Sequence, residues 1–161
     1  MKLLALNILT LLSLIACGQE SPDSFVWDSL PQEIIVLNKD IELEVSDAVY
    51  EINNELREIY QITNNQDARI IVDCADGKME ERQWGSCMAG GGYAYILIDC
   101  QTIPASKLSY IIAHELYHCL GFAEHSNNDD CLSSTHMDWN TQLKGSVCNE
   151  MKTQFEAVYG E

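Results

Sequence analysis

Tyr93-Ala-Tyr-Ile-Leu-Ile-Asp-Cys100 is followed, after Gln101-Thr-Ile103, by Pro104-Ala-Ser-Lys-Leu-Ser-Tyr-Ile-Ile-Ala-His-Glu-Leu-Tyr-His-Cys-Leu120. The first segment is rich in aromatic and β-branched residues and reads as a strand. In the second, Pro104 and Ser106 open a helix, and Leu108, Ile111, Ile112, Leu116 and Leu120 recur at helical spacing. Upstream, Ala68–Cys74 and Glu33–Leu37 read as further strands, with Asp76-Gly77 as a turn. Val45, Val49, Ile52, Leu56 and Ile59 predict a helix with Ser46 as its N-cap, slightly weakened by Asn53-Asn54. Lys78–Gly92 is glycine-rich and irregular, a loop or a hairpin. Downstream, Leu143, Val147, Met151, Phe155 and Val158 predict a last helix over Gln142–Tyr159. The order of strand, helix, strands, helix, irregular segment and helix predicts an α+β domain with one sheet and helices packed on it.

The chain has 161 residues, of which 47% are hydrophobic and 21% charged, enough for one globular domain and unlike a disordered chain. With 25 Asp+Glu against 9 Lys+Arg, the formal net charge is −16, which repels phosphate backbones and argues against nucleic-acid binding.

The N-terminus sets the compartment. Lys2 precedes an apolar run from Leu3 to Ile15, too short to span a bilayer. Leu14-Ile15-Ala16-Cys17 then resembles the lipobox of bacterial lipoproteins. The resemblance implies a signal peptide over residues 1–16, cleavage before Cys17 and lipid on its sulfur. Several acyl chains on one residue anchor a protein stably. Residues 17–32 are polar and turn-rich and read as the lipidated residue and a tether to a domain over 33–161. The domain is expected in the cell envelope, at the outer membrane if the source has two membranes, since Gly18 is not the Asp of an inner-membrane retention signal. A monomer is expected.

Apart from Cys17, the cysteines are Cys74, Cys87, Cys100, Cys119, Cys131 and Cys148. An even number in an oxidising compartment predicts up to three disulfides whose pairing the sequence leaves open, and the absence of any CxxC sets a zinc ribbon aside.

The helix after Pro104 carries His114-Glu115-Leu116-Tyr117-His118. Positions i and i+4 share a helix face, so both imidazoles can reach one zinc ion at about 2.0–2.1 Å. Glu115 sits beside the first ligand, placed to take a proton from an attacking water without ligating the metal. Composition alone yields HExxH in roughly 1% of such chains. Three residues past His118 stands Gly121, able to adopt the left-handed conformation that ends a helix. His125 and Met137 follow.

His114-Glu-Leu-Tyr-His118-Cys-Leu-Gly121-Phe-Ala-Glu124-His125, then Met137, resembles the metzincin zinc metalloproteases, which read HExxHxxGxxH followed by a Met-containing turn. The resemblance implies a small zincin-like catalytic domain with a mixed sheet, an active-site helix and a C-terminal helix. It implies zinc held by His114, His118 and a third ligand, Glu115 as catalytic base, Met137 in the turn beneath the metal, and a peptide or protein substrate. It also implies an edge strand lining the cleft, for which Tyr93–Asp99 is the nearest candidate. The chain departs from the family pattern at the third ligand. Glu124 occupies the family position and His125 comes one residue later. A loop absorbs one residue cheaply, and catalytic zinc sites favour imidazole, so His125 is preferred with Glu124 as the alternative. Trp139 stands where some members carry a metal-proximal Tyr, and Trp neither ligates nor acts as an acid. Cys119 adjoins His118 but projects to another face, which favours a disulfide or a buried thiol over a zinc thiolate.

Other readings use the same residues differently. A non-catalytic zinc-binding envelope lipoprotein would keep the histidines but has no need of Glu115. A disulfide-stabilised interaction lipoprotein would bind no metal. A short zincin would draw its third ligand from a later helix, as Glu150 or Glu156.

Overall fold

The computed structural model describes residues 26–77, 79, 83–122, 125–126, 131–132 and 146–160. Cys17, Glu124, Met137 and Trp139, and the signal peptide over 1–16, lie outside the described residues. The chain folds as an α+β domain. Its elements are β1 (Gln32–Val36), α1 (Glu42–Glu55), β2 (Tyr60–Ile62), β3 (Ile70–Cys74), β4 (Gly85–Gly90), β5 (Tyr93–Ile98), α2 (Ala105–His118) and α3 (Asn149–Tyr159). No helix among the described residues is long and apolar enough to cross a membrane.

Among the described residues, five strands form one mixed sheet in the order β2-β1-β3-β5-β4. β1, β2, β3 and β5 run parallel, and β4 pairs antiparallel with β5. Parallel neighbours need a crossover, and α1 supplies the one between β1 and β2. Ile34 of β1 is level with both Ile62, the last residue of β2, and Ile70, the first of β3. β2 therefore ends where β3 begins, so residues 63–69 suffice to step across β1. β4 and β5 join through Gly91 and Gly92, with φ of 61° and 84°. Two consecutive positive φ values of this kind make a type I′ two-residue turn, and glycine adopts them at no steric cost.

Alternation along the strands buries one sheet face. Ile34, Val36, Ile70, Val72, Ala94, Ile96 and Ile98 join Val45, Ala48, Val49 and Ile52 of α1, and Leu108, Ile111, Ile112 and Leu116 of α2, in a single core. From Tyr110 to Leu120 every residue is buried. The carbonyls at the end of that helix lack helical partners, and side chains take them. Tyr60 Oη donates to Leu116 O (2.6 Å), Trp27 Nε1 to Cys119 O (2.8 Å) and Tyr159 Oη to Leu120 O (2.9 Å).

Several boundaries differ from the sequence reading. Trp27 is buried in the core and Gln32 opens β1, so part of the segment read as a tether is packed on the domain. α1 begins before Ser46, at Glu42, because Asn38 caps a short 3-10 turn, Lys39–Ile41, that leads into it. Asn53 turns from a weak helix residue into a clamp. Its Oδ1 accepts from Ile59 N (2.9 Å) and Tyr60 N (3.0 Å), and its Nδ2 donates to Tyr60 O (2.7 Å), fastening β2 to the end of α1. α3 starts at Asn149; Ser146 instead bridges to Cys131. The edge strand beside α2 is not Tyr93–Asp99. β5 lies inside the sheet between β3 and β4, and the edge is β4, whose Gly-Ser-Cys-Met-Ala-Gly composition carries no strand periodicity.

Three disulfides join Cys74–Cys100, Cys87–Cys119 and Cys131–Cys148. The second ties β4 to the residue that caps α2. The third ties the segment carrying Leu132 to the start of α3.

Candidate metal centre

His114 and His118 lie one turn apart on the buried end of α2. Past His118 the helix tightens, with Leu120 N donating to Tyr117 O (3.1 Å) and Gly121 N to His118 O (2.9 Å). Gly121, at φ 91°, ends it as the sequence predicts. The chain then returns His125 to the helix. The Nε2 atoms of the three imidazoles converge, with His114–His118 at 2.9 Å, His118–His125 at 3.1 Å and His114–His125 at 3.2 Å. Nitrogens bound tetrahedrally to one ion at about 2.0–2.1 Å stand roughly 3.3–3.4 Å apart, close to these separations.

Two of the imidazoles are oriented by backbone. His114 Nδ1 donates to Leu132 O at 2.8 Å, and His118 Nδ1 to Phe122 O at 2.7 Å. A proton held on Nδ1 leaves Nε2 as a bare acceptor. Acceptors facing one another at this range repel unless a cation lies between them, so the donor set fits a metal ion. Three imidazoles suit a borderline divalent ion rather than calcium or magnesium. These three residues form a group that could hold a metal ion.

Burial favours the neutral, ligating form. It pushes His114 down to about 3, with His118 adding to the shift and the Leu132 carbonyl opposing it. Burial likewise pushes His118 down to about 4 and lowers His125. Unfolded imidazoles bind protons below their ordinary value of 6.5, while the folded ones stay neutral until about 4 and 3. The unfolded state therefore binds more protons across that window, and metal-free protein loses stability as the pH falls from 6.5 towards 3. Urea denaturation of chelator-treated protein at a series of pH values checks this. The His114→Gln variant is expected to show a shallower slope than the wild type.

Glu115 is 1% exposed, between His114 and His118 in the chain. Its side chain lies against Gly85, the first residue of β4. Next to the histidines in the chain, Tyr117 Oη donates to Gln154 of α3, and Ser126 Oγ donates to Glu150 Oε2 at 2.8 Å. Glu150 thus anchors the segment that carries His125 and does not join the imidazoles; the group around His114 does not include Glu156 either. Cys119 is committed to its disulfide with Cys87. Cys131, Cys148 and Glu150 also cluster, but the first two are disulfide-bonded to each other.

The sequence pointed to His114, Glu115, His118 and His125, and the fold brings the three histidines together. It did not point to the Leu132 and Phe122 carbonyls or to Gly85. Backbone acceptors carry no residue signal, and Gly85 sat in a stretch read as irregular. Comparison with protein-family models and with curated proteins returned no match.

Proposed function

We propose that this chain is a zinc-dependent endopeptidase of metzincin type, held in the cell envelope by lipid on Cys17. The convergence of three imidazole Nε2 atoms around one point, with a buried glutamate next to the first of them on the same helix, carries the reading. Zinc held there by His114, His118 and His125 would supply a Lewis acid with one open position.

The chain's own groups do the rest. Glu115 takes a proton from the attacking water and passes it to the leaving amine, and it can do so because it is not one of the ligands. The Leu132 and Phe122 carbonyls hold the imidazoles in the ligating tautomer. β4 ends the sheet and carries Gly85 beside Glu115, so an extended peptide paired along that edge would pass the base. A carboxylate in this place favours hydrolysis over simple metal storage, which needs only the ligands.

Zinc content and peptide cleavage, measured on the disulfide-bonded domain, test the proposal together. The expected result is about one zinc per chain and cleavage of an unfolded protein substrate that stops on chelation and returns with added zinc. A folded domain that takes up no zinc, or a zinc-loaded domain that cleaves no peptide bond, would overturn it.

A further inference from the structure

We infer that Gly85 is the positioning residue for Glu115: its missing side chain is the space in which the Glu115 carboxylate is held. The kinetic half of this inference rests on the endopeptidase reading, and the steric half does not. A Cβ at Gly85 would lie 2.7 Å from both Glu115 Cγ and Oε1 and 3.0 Å from Cδ. The two at 2.7 Å are contacts that real Cβ atoms essentially never make, and they involve the stem of the side chain as well as its tip.

Neither partner can give way easily. Glu115 is 1% exposed and sits in a helix that is buried throughout this stretch, so another rotamer would have to enter packed core. Its backbone cannot retreat without moving His114 and His118 with it. The strand cannot retreat either. Gly85 pairs with Ile98 in the sheet, and Cys87, two residues on, is bonded to Cys119 at the end of the same helix. The backbone itself does not require glycine, since Gly85 is not among the residues with positive φ. Gly90, at the other end of β4, has open space where its Cβ would be. The demand for glycine at position 85 thus comes from the glutamate it faces.

The test is a double-mutant cycle on the zinc-loaded protein. Gly85→Ala is expected to lower kcat about 100-fold, the effect of misplacing a reacting group by about 1 Å, with KM and zinc per chain unchanged. It is also expected to lower the thermal midpoint in the wild-type background and not in the Glu115→Ala background, where the clash is gone. Gly90→Ala lowers the midpoint in neither. If Gly85→Ala alone does not fold, recovery of folded protein in the Gly85→Ala/Glu115→Ala double variant supports the contact, and failure to recover overturns it. An equal loss of midpoint in both backgrounds, or an unchanged kcat in an active enzyme, overturns the inference. A wild type that cleaves nothing removes the endopeptidase reading alone, and the stability cycle still decides whether Gly85 sets the position of Glu115.

Discussion

Replacing Glu115 with alanine is expected to leave zinc bound at about one ion per chain while peptide cleavage falls by about 1,000-fold or more. The two halves of this result have separate causes. The atoms that could hold the metal are the Nε2 atoms of His114, His118 and His125, and two of those rings are oriented by the carbonyls of Leu132 and Phe122, so on the proposed reading removing Glu115 takes no ligand away. Cleavage needs a group that accepts a proton from water and gives it to the leaving amine, and Glu115 is the carboxylate in the sequence next to His114. Glu115→Gln is the closer isostere and is expected to behave in the same way, because an amide keeps the volume but cannot accept the proton. Single-turnover cleavage and metal analysis on the same preparations check both halves. Turnover within a few-fold of wild type in either variant would remove Glu115 from the mechanism, and loss of zinc would make it a structural support of the ligands.

His125→Ala is expected to weaken zinc binding by more than about 100-fold, a larger loss than the usual effect of removing a group that only supports a ligand. The reason is positional. His125 Nε2 lies 3.1 and 3.2 Å from the Nε2 atoms of His118 and His114, within the same group of donors. Two imidazoles from one helix turn cannot surround an ion, and the third must come from the returning chain. Glu124, the alternative if the metzincin spacing is followed, supplies the control: Glu124→Ala is expected to retain zinc. Competition titrations with a chromogenic chelator give both affinities. Equal retention by the two variants, or greater loss at Glu124, would move the third ligand to the carboxylate.

Much of this molecule was legible in its sequence because the signals are local. The apolar stripe from Leu108 to Leu120 and the two histidines at i and i+4 are periodic features of one helix, and the fold places α2 there. Tyr93–Ile98 and Ile70–Cys74 are rich in aromatic and β-branched residues, as strands are, and they are strands. Gly121 ends α2 in the conformation only glycine adopts freely. Other features were not legible because no local pattern encodes them. β2 has three residues, shorter than any periodicity, and exists because Asn53 and β1 hold it. β4 has glycine at both ends, so its strand character comes from pairing with β5.

From residue order alone came the metal-ligand pattern, the helix that displays it and the even set of cysteines. Periodicity and spacing determine which residues share a face, and those faces survive folding. Tertiary structure alone decided which cysteines meet, which strand forms the edge beside Glu115, and where the imidazoles find their carbonyl partners. Each of these is a contact between residues far apart in the chain. Cys87 meets Cys119, His114 meets Leu132, and Gly85 meets Glu115 only because the β4–β5 hairpin and the return after Gly121 close on the same end of α2.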